Sequence, residues 1–241
     1  MLKEAFSGPG RGAAALRASD AEQNPLERWY AAHDGKMIHK WTHYFEIYHR
    51  HFARYRGKRP TVLEIGVSHG GSIAMWHDYF GAGCRMFGVD VNPRCKALED
   101  AATTILIGDQ ADRGFLQRLR DELPPIDVLI DDGGHTMEQQ IATFEVLYPH
   151  VAPDGVYLCE DLHTSYWEEF GGSYRAPGSF IEYSKAYIDQ LNAWSARQKD
   201  QLKVNDFTRS THSMHYYPSV LVIEKRPMAE PQDSRRGRVS W

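Results

Sequence analysis

The sequence predicts an α/β protein with a Rossmann-like core, in which the strands of a mostly parallel sheet alternate with helices. Three observations support this fold. Short apolar runs alternate with amphipathic stretches over residues 59–226, the first run leads into a glycine-rich turn, and two later runs end in acidic residues. Because ligands bind beyond the carboxyl ends of strands in such sheets, the acidic strand ends are candidate functional positions.

Size, charge and cysteine content narrow the class of protein. The chain has 241 residues, of which 42% are hydrophobic and 25% are charged, and this length fits one α/β domain. A net charge of -4 at pH 7 argues against a nucleic-acid partner. The three cysteines have no CxxC spacing, and no apolar run reaches the roughly 18 residues of a membrane helix. We therefore expect a cytoplasmic protein without disulfides, nucleic-acid partner or membrane segment.

The residues before the core divide into two predicted segments. Residues 1–24 are rich in Ala, Gly, Arg and Ser with little periodicity, so we expect a mobile segment there. Residues 25–58 are expected to form a helical lid, because apolar residues recur at helical spacing from residue 37 to residue 55. The stripe comprises Met37, Trp41, Tyr44, Phe45, Tyr48, Phe52 and Tyr55. We interpret it as one long helix packed on the core, with the alternative that its polar beginning, which includes Lys36 and Lys40, caps a ligand.

The first predicted strand, residues 61–67, leads into a glycine-rich turn and then a helix through residue 80. Gly66, Gly70 and Ser72 are candidate cofactor contacts, because glycines let a ligand approach the backbone and a helix N-terminus favours negative charge. The spacing is GxxxGG and not the GxGxxG of dinucleotide sites. The turn is therefore less suited to a dinucleotide pyrophosphate.

Two further strand ends indicate an adenosine ligand. The second strand, residues 84–91, carries Asp90 at its end, 24 residues after Gly66, where a carboxylate can accept hydrogen bonds from ribose hydroxyls. The third strand ends in Gly108, Asp109 and Gln110, whose acidic and amide side chains can recognise an adenine amino group.

The remaining elements complete the alternating pattern. Predicted helices cover residues 95–102, 113–123, 136–150 and 179–198, and the third of these begins with a Thr136/Gln139 capping box. Two final strands, residues 206–217 and 219–225, form a hairpin around Pro218, and residues 227–241 are expected to be a disordered tail.

The fourth and fifth strands both end in carboxylates. Asp131 and Asp132 follow the apolar run 126–130, and Glu160 and Asp161 follow the run 155–158. Parallel neighbours lie about 4.8 Å apart, so these side chains can converge. Oxygen ligands without thiolates suit Mg2+ or Mn2+. The alternative is a pair of acidic strand ends without an ion, and the residues alone do not decide which of the two aspartates would be a ligand.

His135 and a downstream loop complete the candidate site. His135 follows Asp132 by three residues across two glycines, so its imidazole can turn back over a metal and take a proton from a hydroxyl; the alternative is a helix-capping histidine. The loop 165–172 is rich in aromatic residues and glycine and is long enough to cover the site. Aromatic faces suit sugar or polyketide rings.

The motifs together resemble a known family. LEIGVSHGGS, the VD that ends the second strand, GDQAD, IDDGGH and YLCEDLHTSYWEEFGG are similar to class I S-adenosylmethionine-dependent methyltransferases. The resemblance covers residues 36–226 and is strongest to Mg2+-dependent macrolide and rhamnose sugar O-methyltransferases and the cephalosporin-hydroxylase-like branch. It implies a seven-stranded sheet in the order 3-2-1-4-5-7-6, with the last strand antiparallel and helices on both faces. It also implies methylation of a sugar hydroxyl on a glycosylated natural product.

The same resemblance implies roles for individual residues. S-adenosylmethionine and Mg2+ would be the cofactors, with His135 as general base. Metal ligands would be Asp132, Glu160 and Asp161, and cofactor contacts would be Glu64, Gly66, Asp90, Asp109 and Gln110, with Asp131 nearer the cofactor than the metal. The macrolide enzymes carry an additional N-terminal domain, whereas about 58 residues precede the core here. The identity of the acceptor and assembly into a homo-oligomer therefore stay open.

Three rival classes remain. Gly66-Val67-Ser68-His69-Gly70 satisfies the GxSxG pattern of α/β-hydrolases, but it follows the first strand of the core and not several earlier ones. A nicotinamide-dependent oxidoreductase shares the ribose carboxylate but is disfavoured by the GxxxGG turn. A non-catalytic protein that binds an adenosyl ligand is the third alternative.

Overall fold

A seven-stranded sheet forms the centre of the computed structural model, which describes residues 24–238. The strands are β1 (Thr61–Ile65), β2 (Arg85–Asp90), β3 (Thr103–Ile107), β4 (Ile126–Asp131), β5 (Val151–Cys159), β6 (Thr211–Tyr217) and β7 (Val220–Lys225). Their order is β3-β2-β1-β4-β5-β7-β6, with β1 to β5 parallel and β7 antiparallel to both of its neighbours. The predicted sheet order and the antiparallel last strand are confirmed.

Helices cover both faces of the sheet, as predicted. They are α1 (Pro25–Ala32), α2 (Tyr44–Phe52), α3 (Gly71–Phe80), α4 (Arg113–Glu122), α5 (Met137–Leu147), α6 (Phe180–Leu191) and α7 (Asp206–Ser210). Successive residues of a strand point to opposite faces, so Val62 packs with residues of α1 to α3 while Leu63 packs with residues of α4 to α7. Burial on both faces explains why the parallel strands are continuous apolar runs.

The predicted helix over residues 37–55 is wrong in its first part. Helix α2 begins at Tyr44, and residues 37–43 run without regular structure across the end of the sheet. Met37 and Trp41, counted in the apolar stripe, are 61% and 52% exposed. The backbone packs so closely on α3 that a Cβ on Gly71 would lie 2.4 Å from the carbonyl oxygen of Met37. Tertiary contacts of this segment therefore outweigh its helical pattern.

Two other predicted elements differ from the structure. The helix predicted for residues 95–102 is a short 3-10 helix, Pro93–Leu98, because Asp100 accepts the backbone N–H of Ala102 and turns the chain into β3. The strand predicted from residue 206 begins as α7, because Asn205 and Thr208 form a capping box. The capping box predicted at Thr136 and Gln139 is present at the start of α5.

The remaining predictions concern the two ends of the chain and the lack of a membrane segment. The predicted mobile segment, residues 1–24, lies outside the described residues except for Asn24, whose side chain accepts the Leu26 N–H and caps α1. Of the predicted disordered tail, residues 227–238 contain no helix or strand, and the last three residues lie outside the description. None of the helices within residues 24–238 combines the length and the apolar character that crossing a bilayer requires.

Candidate active site

A cavity of about 530 Å³ opens at the carboxyl ends of β1 to β5. Its walls come from the turn after β1, from the residues that follow β2, β3, β4 and β5, and from residues 37–41, which cross over it. This is the edge where parallel α/β sheets bind ligands. The cavity brings the glycine turn and the acidic strand ends, predicted separately, into one site.

Gly66 allows the loops after β1 and β4 to meet. Its φ is +89°, and a Cβ there would lie 2.0 Å from the carbonyl oxygen of Asp132. Only glycine fits this left-handed position beside another backbone. Gly70, also left-handed, precedes α3 and shapes the turn without lining the cavity.

Asp90 and Asp109 stand at the cavity wall where a cofactor contact was predicted. The Asp90 carboxylate accepts the backbone N–H groups of Val67 at 3.2 Å and Ser68 at 2.9 Å, so it also fixes the glycine turn. Asp109 accepts the Ala111 N–H at 2.8 Å. Both carboxylates therefore have set positions before any ligand binds.

Glu64 and Asp131 lie behind the cavity wall and not on it. Burial raises the pKa of each to about 7. Glu64 accepts from the Ser72 hydroxyl at 2.8 Å, and Asp131 accepts from the Gln110 amide at 2.6 Å. Ser72 and Gln110 do line the cavity. The two carboxylates therefore contact Ser72 and Gln110, which lie on the wall, and their direct contact with a cofactor stays a prediction.

Of the three predicted metal ligands, Asp132 and Glu160 both contact Lys40, whereas Asp132 and Asp161 both face His135. The Lys40 ammonium donates to both oxygens of Glu160, at 3.1 and 3.0 Å, and to Asp132. Glu160 also accepts from the Tyr48 hydroxyl at 2.5 Å, and Asp161 accepts from the Tyr44 hydroxyl at 2.7 Å. From the sequence, Lys40 was expected in a lid that could cap a ligand, and both tyrosines were expected in the core.

His135 faces the carboxylates. Its Nε2 lies 3.4 Å from Asp161 Oδ2 and 3.8 Å from Asp132 Oδ1. Burial lowers the pKa of His135, although the charges of Asp132 and Asp161 raise it in part, so the imidazole is neutral near pH 7. The capping alternative is wrong, because Thr136 is the N-cap of α5.

The donor set fits a divalent cation. Ligand atoms of Asp132, His135 and Asp161 lie within 4.8 Å of one another. Carboxylate oxygens in a partly exposed site suit Mg2+ or Mn2+, which retain water or substrate oxygens as further ligands.

An aromatic rim borders the group formed by Asp132, His135 and Asp161. The His163 ring lies between Trp41 and Trp167, with centroid distances of 5.9 and 4.6 Å. Trp41 and Trp167 are 52% and 44% exposed. Trp167 belongs to the predicted covering loop, and Trp41 was assigned to the core. The rim offers flat apolar faces beside the cavity.

The hydrolase alternative is not supported by the geometry. Ser68 Oγ lies 3.0 Å from Nδ1 of the adjacent His69, and both residues are exposed. Among the described residues, no hydrogen bond joins His69 to a carboxylate that would orient it. A catalytic triad needs that third group.

The sheet order and the cavity define a class I methyltransferase fold. The sequence profile of a family described as a methyltransferase domain matches residues 63–162. The chain is 33% identical over 223 residues to 8-demethyl-8-alpha-L-rhamnosyl tetracenomycin-C 2'-O-methyltransferase of Streptomyces olivaceus, with 83% of this chain and 58% of the relative covered. It is also 33% identical to demethylmacrocin O-methyltransferase of Streptomyces fradiae, with 88% and 55% covered.

A solved structure of a methyltransferase has a similar fold. The MycE methyltransferase of the mycinamycin biosynthetic pathway, in complex with Mg, SAH and mycinamycin VI, superposes with a TM-score of 0.73 at 29% identity, over 85% of this chain and 53% of that one. The chain belongs to the family of O-methyltransferases that contains these macrolide and rhamnosyl enzymes. It spans a little over half the length of these relatives.

Proposed function

We propose that the protein is an S-adenosylmethionine- and Mg2+-dependent O-methyltransferase that acts on a hydroxyl of a small molecule, a sugar of a glycosylated natural product. One observation carries this proposal: a single cavity joins the glycine turn and Asp90 to the group formed by Asp132, His135 and Asp161. The relatives support the acceptor class, because their names specify rhamnosyl and macrolide substrates.

The cofactor half of the cavity suits an adenosyl group. Asp90 would accept hydrogen bonds from the ribose hydroxyls, and Asp109 and Gln110 would contact the adenine. The Gly66 turn would let the amino-acid end approach the backbone. S-adenosylmethionine would supply an electrophilic methyl group at the junction with the acidic half.

The acidic half suits activation of a hydroxyl. Asp132, Glu160 and Asp161 would hold Mg2+, which lowers the pKa of an acceptor hydroxyl when bound. His135 Nε2 faces the same carboxylates and would take the hydroxyl proton as the oxygen attacks the methyl group. Trp41 and Trp167 would place the acceptor ring and exclude water from this end of the cavity.

Other features belong to the same proposal. Residues 59–226 would form the methyltransferase domain and residues 25–58 the lid. A cytoplasmic location and the lack of a nucleic-acid partner remain predictions from composition and charge. The oligomeric state stays open.

Calorimetric binding tests the proposal against its alternatives. The protein should bind S-adenosylmethionine and not NAD, and Asp90→Ala should weaken binding by about 1.5 to 3 kcal/mol, the range for hydrogen bonds to a charged group. Asp90→Asn is the control for disruption of the glycine turn, because its side chain keeps an oxygen that can accept the backbone N–H groups of the turn. Binding of NAD in preference, or an unchanged affinity in Asp90→Ala, would overturn the cofactor assignment.

A further inference from the structure

Lys40 is a buried cation in the centre of the acidic half of the cavity. Its side chain is 2% exposed, and its ammonium contacts Asp132 and Glu160 and lies 4.0 Å from Glu64. Burying an ammonium is costly unless charged partners compensate it. Asp132 and Glu160 are such partners, and their contacts with the ammonium keep Lys40 charged in this state.

The ammonium uses the same oxygen atoms that a metal would use. It donates to one oxygen of Asp132 and to both oxygens of Glu160, which are two of the three proposed ligand carboxylates. A Mg2+ ion would need those oxygens at about 2.0 to 2.1 Å. Two cations held by one set of oxygens at such range repel strongly. Simultaneous occupancy of both carboxylates is therefore unfavourable.

The position of Lys40 allows its ammonium to move away from the carboxylates. It belongs to residues 37–43, which have no helix or strand and cross the mouth of the cavity. Met37 and Trp41 in the same segment are exposed. Since the lysine side chain has four rotatable methylene groups, displacement of the ammonium from the carboxylates requires a change of rotamer and no unfolding of α2.

We propose that Lys40 is a built-in counter-ion that holds Asp132 and Glu160 together in the metal-free protein and is displaced when a divalent cation binds. The inference rests on the proposed metal role of these carboxylates. Its consequence is that part of the negative charge of the site is compensated without metal, and that the protein binds metal more weakly than its carboxylates alone would allow.

Titration of Mn2+, with the free ion followed by its paramagnetic resonance signal, tests the competition. Lys40→Met keeps the length of the side chain without its charge and should bind Mn2+ about tenfold tighter than the wild-type protein. Lys36→Met removes an exposed charge four residues earlier and should leave the affinity unchanged. Equal or weaker Mn2+ binding by Lys40→Met would overturn the proposal.

Labelling of the wild-type protein tests displacement directly and does not depend on a variant. Reductive methylation at Lys40, quantified by peptide mass spectrometry against Lys36, should be slow in chelator and several-fold faster with Mg2+. An unchanged or slower rate would mean that the ammonium stays with the carboxylates, and the proposal would be wrong even if Lys40→Met bound Mn2+ tightly. Failure of all three proteins to bind Mn2+ would instead overturn the metal site itself, and this inference with it.

Discussion

At the scale of single residues, His135 is the group on which proton removal depends in our proposal. His135→Ala should lower kcat by about 10² to 10⁴, the loss expected for a general base, and leave the affinity for S-adenosylmethionine nearly intact. Steady-state kinetics and calorimetry measure the two quantities. A variant that keeps most of its turnover would show that the proton leaves without an imidazole.

The pH dependence of turnover provides an independent test of the same residue. Burial lowers the pKa of His135 in the folded protein. Only the neutral imidazole accepts a proton, so kcat should rise with pH through this pKa and level off above it. The rising limb of the plot of kcat against pH should therefore lie below about pH 6.5. The limb should be absent in His135→Ala. The same limb in the variant would mean that another group titrates.

The sequence reveals some of these residues better than others. Asp132, Glu160 and Asp161 could be predicted to converge, because adjacent parallel strands end at one edge of the sheet. The contacts of Lys40 with Asp132 and Glu160 could not be predicted. These partners lie 92 and 120 residues away in the sequence, and local periodicity carries no information about them. The position of Glu64 and Asp131 behind Ser72 and Gln110 could not be predicted, because a motif records residue type and not which side chain lies in front of it.

At the scale of elements, a buried histidine joins α2 to the β6–β7 hairpin. His51 contacts Glu224 at 2.8 Å through Nδ1 and the Tyr217 hydroxyl at 3.0 Å through Nε2, and it is 3% exposed. His51→Ala leaves both partners without this contact and opens a cavity. The free energy of unfolding should fall by about 1 to 3 kcal/mol.

Urea unfolding measures that change, and the adjacent residue is its control. Arg50 has a 60% exposed side chain in a surface ion pair with Glu46, so Arg50→Ala should cost less than about 1 kcal/mol. Equal effects of the two substitutions would show that His51 does not join α2 to the hairpin.

Most elements of the fold follow from patterns that the sequence displays directly. The parallel strands are short apolar runs, and α5 begins at a capping box that needs only two residues in the right spacing. Residues 37–43 were misjudged because Met37 and Trp41 match a helical stripe although both are exposed. The energy that decides their path comes from Lys40 and from packing on Gly71, which are tertiary contacts.

At the scale of the whole molecule, the sheet acts as a platform that joins two half-sites. In our proposal, β1, β2 and β3 support the half for the cofactor, and β4 and β5 support the half for the metal and the acceptor. Residues 37–43 contact both halves through Gly71 and the acidic strand ends. We therefore expect a substitution of Lys40 to affect both half-sites.

Transfer of a labelled methyl group from S-adenosylmethionine to a glycosylated polyketide with free sugar hydroxyls tests most directly whether the two half-sites work together. We expect labelled product in the presence of Mg2+, none with excess EDTA, and recovery when Mg2+ is added back. Asp132→Asn should give little product at any Mg2+ concentration, with S-adenosylmethionine still bound. Full transfer in EDTA, or full activity of Asp132→Asn, would contradict a metal-dependent mechanism at this site.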